Sequence, residues 1–322
     1  MSYQIGSHSH ILVTGGTGFV GSHLVEALVQ RGARVVIPFR SIDHASYFMT
    51  RGLDKKTVLA QGDITDRRRI TDIVSKYEIE TIYHLAAQPI VDTAYANPVE
   101  TITTNVIGTT HVLDAAWQSA TVQRIIVTSS DKAYGKSDKT YSEDHPLAGD
   151  HPYEASKSAA DIITNAYVRT YGAPVSTVRF GNIYGPGDLN MSRIIPSIVN
   201  SAITGEELAL RSDGTFVRDY VYVGDVVDAY LYLLEHFDAA RGEAFNIASD
   251  TSLSVLKLIE SAQRILGATI PYSIKNTQKN EIPSQHLNWS KIAKLGWRPK
   301  FSLEMGLLET YAWYKKALTV NR

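Results

Sequence analysis

His10-Ile11-Leu12-Val13-Thr14 runs without a break into Gly15-Gly16-Thr17-Gly18-Phe19-Val20-Gly21, and Leu24, Val25, Leu28 and Val29 follow at helical spacing. An apolar strand, a glycine turn and a helix in this order are the context in which Gly-x-x-Gly-x-x-Gly can cradle a dinucleotide pyrophosphate. Gly15 permits the tight turn, Gly18 lets the helix amino-terminus approach a phosphate, and Gly21 allows helix to pack closely on strand. Phe19 and Val20, inside the same run, are counted with these glycines as cofactor-binding. Without a ligand the run would be no more than a tight turn.

The pattern repeats downstream. Residues 33–38 read as a second strand ending in Phe39-Arg40-Ser41. An acid there would bind the adenosine ribose of NAD; Arg40 with its serine suits the extra phosphate of NADP, while Asp43 keeps NAD open. The third strand, 58–60, leads to Gly62-Asp63-Ile64, where Asp63 is placed to accept from the adenine amino group and Thr65 or Asp66 to cap the next helix. Strand 81–85 delivers Leu85-Ala86-Ala87-Gln88, whose small residues let the backbone pass close to a cofactor. Residues 98–117 read as one long helix with Asn105 facing inward, and strand 122–128 carries Thr128-Ser129-Ser130-Asp131-Lys132 at its carboxyl end. Alternation of this kind implies an α/β fold, a Rossmann-type doubly wound parallel sheet, with ligands at the carboxyl ends of the strands.

Tyr153-Glu154-Ala155-Ser156-Lys157 sets a phenol and an ammonium four residues apart, on one face of a helix. A tyrosine titrates near pH ~10 and is a poor base, but a neighbouring Lys⁺ favours the phenolate. With the hydroxyl, carboxylate and amine of Ser130-Asp131-Lys132, the pair suits a site that removes a hydride and then moves protons.

Composition excludes several alternatives. The 322 residues are 44% hydrophobic and 20% charged, with a formal net charge of -1, which gives no electrostatic case for nucleic acid or an anionic membrane. Cysteine is absent, so disulfides, thiolate metal sites and a cysteine nucleophile are ruled out, and no metal is called for. No apolar run approaches the roughly 18 residues of a spanning helix, and Met1-Ser2-Tyr3-Gln4-Ile5-Gly6 has no signal-peptide character, so a cytoplasmic protein is expected.

In order along the chain stand Gly15-x-x-Gly18-x-x-Gly21, Asp63-Ile64, His84-Leu85-Ala86-Ala87, Asn105, Tyr134-Gly135, Tyr153-x-x-x-Lys157, Arg179-Phe180-Gly181-Asn182-Ile183-Tyr184-Gly185-Pro186 and Arg218-Asp219-Tyr220-Val221. This ordered set covers nearly the whole chain and strongly resembles the extended short-chain dehydrogenase/reductase family. The resemblance implies that Tyr153 is the catalytic base and that Lys157 binds the nicotinamide ribose and lowers the tyrosine pKa. It further implies that Ser130 orients the substrate hydroxyl and that Ile64, Leu85 and Thr128 contact NAD(P). Nucleotide-sugar 4,6-dehydratases of the family carry Asp-Glu after this serine or, in the CDP-glucose and some UDP-sugar enzymes, Asp-Lys; epimerases carry small or uncharged residues. Asp131-Lys132 is therefore similar to the dehydratase type, with CDP-glucose and then GDP-mannose as the implied substrates. Asp131 would be the acid at the C6 oxygen and Lys132 the C5 base or the charge stabilising the enolate. A salt bridge between the two that orders the loop is the alternative. A C4 epimerase using the same oxidation, and a non-catalytic nicotinamide-sensing scaffold, are the competing functions.

The composition changes after Gly185-Pro186-Gly187. Residues 191–201 read as a helix and 208–210 as a strand, and Arg218-Asp219-Tyr220-Val221-Tyr222-Val223 as a return to the large domain. By resemblance, 1–182 with 215–248 form the dinucleotide-binding domain and 183–214 with 249–322 the nucleotide-sugar domain. Gln88, Asn105, Asn182, Arg193 and Arg218 are the expected substrate contacts, amide and guanidinium donors being suited to pyrophosphate and sugar oxygens. Many relatives have another arginine shortly before Leu295-Gly296-Trp297-Arg298-Pro299; here Glu281-Ile282-Pro283-Ser284-Gln285 stands in that region. The resemblance also implies a homodimer through the helices at 98–117 and 153–171, with Tyr167 and Tyr171 in the contact or in the protein's own core.

Overall fold

A computed structural model describes residues 3–277 and 284–320. Six strands arise in the first 180 residues: β1 (His10–Thr14), β2 (Arg34–Phe39), β3 (Val58–Gln61), β4 (Thr81–His84), β5 (Arg124–Ser130) and β6 (Val175–Phe180). Seven more follow: β7 (Asn182–Tyr184), β8 (Leu208–Leu210), β9 (Val217–Tyr222), β10 (Ala244–Ile247), β11 (Ser252–Ser254), β12 (Tyr272–Ile274) and β13 (Ser284–Gln285). The large sheet has the order β10-β6-β5-β4-β1-β2-β3, every neighbouring pair parallel. The chain winds outward from β1 through β2 to β3, then returns and winds the other way from β4. The crevice past the ends of β1 and β4 is thus the point where strand order reverses, the place such sheets offer a ligand.

Parallel strands covered on both faces must be apolar on both. In β1, Ile11 and Val13 face Leu24, Val25 and Leu28 of the helix Phe19–Gln30 and Val226, Tyr230 and Leu233 of Val223–Glu235. Leu12, one residue out of step, faces the opposite core with Ile70, Ile73, Val74, Val112 and Leu113, from helices Arg67–Lys76 and Thr109–Gln118. A third core joins Ile195, Ile198 and Val199 to Leu258, Ile259 and Leu307, under β8 and β9.

Three elements depart from the sequence reading. The expected helix at 98–117 is broken into Pro98–Ile102, a π-helical turn Thr103–Gly108, and Thr109–Gln118. Such turns insert one residue into the ladder and are frequent at functional sites; here the turn carries Asn105. The helix expected at 191–201 begins later, at Ile194–Thr204. Finally, β9 pairs with β7, β11 and β13 and not with the large sheet. Residues 217–222, expected in the large domain, therefore belong to the smaller sheet, and the chain re-enters the large layer only with the helix Val223–Glu235. No helix among the described residues is long and apolar enough to cross a membrane.

Candidate active site

The glycine turn is shaped as its sequence requires. Gly15 lies at φ +72, and a Cβ there would meet the Ala86 backbone nitrogen at 2.8 Å; a Cβ on Gly21 would reach the Gly15 carbonyl oxygen at 2.1 Å. Gly18 caps the helix Phe19–Gln30 with no side-chain bond, and a Cβ on it would meet only Gly15 O, at 3.3 Å. The first-turn N–H groups, with Phe19 and Val20 among them, have no side-chain acceptor and suit a phosphate approaching the helix dipole. Ala86 N donates to Thr14 Oγ1, which ties Leu85-Ala86-Ala87 against the turn. These residues fit a dinucleotide pyrophosphate.

His84 holds this wall in place. Thr109 Oγ1 donates to Asn105 O, so His84 Nε2 must donate to Thr109 Oγ1 (2.8 Å) and Nδ1 must accept from Thr14 Oγ1 (2.7 Å). Burial, helped by the Lys157 charge, pulls the imidazole pKa down to about 3. It is a neutral strut.

At the adenosine end, Asp63 Oδ1 accepts from Thr65 N and Oγ1, and Oδ2 faces Arg40 at 3.6 Å. Asp66, not Thr65, caps the following helix by accepting from Arg69 N. Ile64 packs into the space beside Gly108, and its carbonyl oxygen contacts His111 Nδ1. Arg40 does not stand free for a second phosphate: a carboxylate opposes it and 69% of its side chain is exposed. The NADP preference read from Arg40 has no support in this geometry.

Tyr153 and Lys157 lie on the buried face of the helix Pro152–Tyr171, which starts with proline in its first turn, where no N–H is missed. Burial and then the Asp131 charge push the Tyr153 phenol up to about 12; Arg193 and the Ser130 hydroxyl pull it the other way. Burial lowers Lys157 to about 8, against an opposing pull from Asp161, and its Nζ donates to Thr128 O at 3.4 Å. The lysine is turned to the end of β5, and the groups that oppose the upward shift of the phenol are Arg193 and Ser130. Thr128 Oγ1 is engaged with Tyr230 on the other side.

Ser130 ends β5 and caps the short turn Asp131–Tyr134, accepting from Lys132 N and donating to Asp131 Oδ1 at 3.0 Å. Asp131 is only 4% exposed. Lys132 Nζ donates to Gln285 Oε1. Among ion pairs between described residues none joins Asp131 to Lys132; the acid accepts from Ser130 and the amine donates to Gln285. Tyr153, Ser130, Asp131, Lys157 and the charge of Arg193 converge on one place.

The expected substrate contacts divide. Asn105 Nδ2 donates to Gln88 O and Ser156 Oγ, and its Oδ1 accepts from Gln88 N at 2.7 Å. Gln88 spends its own amide on Ile90 and Thr101. The polar groups of both clamp the loop after β4 to the Tyr153 helix. Arg193 pairs with Asp188 at 3.0 Å, Asn182 donates to Asp219 O, and Arg218 donates to Val217 O while stacking on Phe216. Of the region lacking an arginine, residues 281–283 lie outside the described residues.

Sequence reasoning missed the support behind the site. Buried Arg179 forks onto Asp161 at 2.8 and 2.9 Å and donates to Tyr134 Oη, which itself donates to Asn246 Oδ1. Asp161 stands four residues after Lys157 on the same helix face, and Arg179 interrupts an apolar strand; that spacing was the available signal.

Comparison with known proteins follows from this geometry. Residues 11–248 match the model of the NAD dependent epimerase/dehydratase family. The dTDP-glucose 4,6-dehydratase of Haemophilus influenzae is 32% identical, over 95% of this chain and 97% of that protein. The trifunctional UDP-glucose 4,6-dehydratase/epimerase/reductase RHM3 of Arabidopsis thaliana is 30% identical over 95% of this chain, which spans about half, 47%, of that protein's length. The UDP-glucose 4-epimerase of Thermotoga maritima, solved with UDP-glucose, superposes with a TM-score of 0.87 at 30% identity, covering 96% of this chain and 99% of that one. The dTDP-glucose 4,6-dehydratase of Streptomyces venezuelae, solved with NAD, gives 0.86 at 30%, covering 95% and 97%. These relatives give no support to the CDP-glucose or GDP-mannose preference, nor to NADP. A glycine-cradled switch point, a buried Tyr153–Lys157 face and a family match over most of the chain lead to one assignment: this protein belongs to the NAD-dependent epimerase/dehydratase family, the extended short-chain dehydrogenases/reductases.

Proposed function

We propose that the protein is an NAD-dependent nucleotide-sugar 4,6-dehydratase acting on a dTDP- or UDP-hexose. The observation that carries this reading is the end of β5, where a buried acid, Asp131, lies close enough to act on the Tyr153 phenol and the next residue, Lys132, supplies an amine directed at Gln285. A C4 epimerase needs neither group. The relatives named dTDP- and UDP-glucose 4,6-dehydratase support the nucleotide choice. Bound NAD would accept the C4 hydride and return it at C6.

This chain's residues then have separable tasks. Ser130 orients the C4 hydroxyl and Tyr153 takes its proton. The resulting ketone acidifies the C5 hydrogen, which Lys132 removes or whose enolate it stabilises. Asp131 donates a proton to the departing C6 oxygen. Arg193, Arg218 and Asn182 offer donors to the pyrophosphate. Residues 183–214 and 249–322, with β9 added, are the proposed sugar-nucleotide domain. A homodimer through the helices Pro98–Ile102, Thr109–Gln118 and Pro152–Tyr171 is part of the same reading.

A C4 epimerase is the second reading, favoured by the superposition on the Thermotoga enzyme at the same identity as on the dehydratase. Product mass separates them. Incubation with dTDP-glucose and UDP-glucose is expected to yield a nucleotide sugar lighter by one water; an isomer of unchanged mass would replace the dehydratase with the epimerase.

A further inference from the structure

We propose that Gln285 is a positioning residue for Lys132, holding its ammonium at the C5 side of the site; the inference rests on the dehydratase reading. Gln285 lies on β13, whose backbone runs in register with Arg218 of β9. The following residues are clamped: Tyr141 N donates to His286 O, Asn288 N to Tyr141 O, and Leu287 N to Asp219 Oδ2. A side chain mounted here has little freedom.

The carboxamide is 1% exposed, and its oxygen accepts from Lys132 Nζ. An ammonium has only donors, so the oxygen must face it, and the amide nitrogen is turned away. That nitrogen is buried with the Tyr141 phenol oxygen as its polar neighbour, outside ideal hydrogen-bond geometry. The phenol thus backs the amide on one side while the oxygen is presented to the lysine on the other. A neutral acceptor fixes the lysine in place without a charge of its own raising the lysine pKa.

The test is a double-mutant cycle on the full-length protein with NAD, in deuterated water with dTDP-glucose and UDP-glucose. Reduced-cofactor absorbance reads C4 oxidation; solvent deuterium at C5 and water loss read the Lys132 step. Gln285→Met, close in volume, is expected to keep C4 oxidation and slow C5 exchange by about tenfold to a hundredfold, the cost of a misplaced group. Added to Lys132→Met, it is expected to slow exchange no further. Gln285→Glu retains the acceptor but adds charge, so the limb of the pH profile set by Lys132 should move to higher pH. Undiminished exchange in Gln285→Met, equal loss of both steps, a further loss on top of Lys132→Met, or an unmoved limb in Gln285→Glu overturns the proposal alone. A wild-type protein that oxidises C4 but neither exchanges C5 nor loses water overturns the dehydratase reading and this inference with it.

Discussion

His84 sits between two threonine hydroxyls and stays neutral, with its pKa held near 3 by burial. In the unfolded chain an imidazole titrates near ~6.5, so between those values the unfolded state carries one more proton. The stability that His84 contributes is complete above about pH 6.5 and declines as pH falls toward 3, by at most about 1.4 kcal/mol per pH unit. Urea midpoints measured across that window should fall more steeply for the wild type than for His84→Gln; parallel slopes would contradict the assignment. Tyr153→Phe removes one oxygen from the buried helix face and should lower C4 oxidation by roughly a hundredfold or more, with circular dichroism unchanged. Reduced-cofactor absorbance on mixing with a sugar nucleotide reads it, and an undiminished rate would remove Tyr153 from the chemistry. Tyr153, Lys157 and Ser130 could be brought to one place from sequence because side-chain spacing sets two of them on one helix face and a strand end holds the third. The bonds of Asn105 and Gln88 were not legible because an amide's donors look identical in sequence whether they face a ligand or a neighbouring loop.

Among the elements, the π-helical turn Thr103–Gly108 decides where the catalytic helix sits. It turns Asn105 inward to bond Gln88 on one side and Ser156, next to Lys157, on the other. Asn105→Ala leaves Gln88 N without its acceptor and should cost about 1–3 kcal/mol in a denaturant titration, with slower turnover as the helix loosens. A loss below a few tenths of a kcal/mol would show that the clamp is not needed. Nothing in Thr103-Thr104-Asn105-Val106-Ile107-Gly108 announced this turn, since its distortion is set by partners far away in sequence. Gly108 contributes as well, because Ile64 fills the space a Cβ would take. The strands of the large sheet were readable from short apolar runs between glycine turns. β9 was not correctly placed: Val217–Tyr222 has the same strand pattern whichever sheet it joins, and only pairing with β7, β11 and β13 tells them apart.

At the scale of the molecule, one outer face is unusually apolar. Val99 is 72% exposed, and Ile102, Trp117, Ile162 and Tyr171 are also exposed, on helices that pack against each other. Trp117 and Tyr171 touch with ring centroids 4.9 Å apart. Exposed apolar side chains on packed helices mark association surfaces, which supports the proposed homodimer. Val99→Glu combined with Ile162→Glu should convert a dimer to a monomer in light scattering at micromolar protein; a wild type that is already monomeric there would refute the proposal.

In the proposed reaction the hydride taken from C4 is returned to C6 of the same sugar while Asp131 and Lys132 manage the loss of water between. The most direct measurement uses dTDP-glucose or UDP-glucose carrying deuterium at C4, incubated in ordinary water and analysed by NMR. The expected result is a 4-keto-6-deoxy product with the label in its C6 methyl group. Label found at C4 of an inverted sugar would contradict it and make the protein an epimerase.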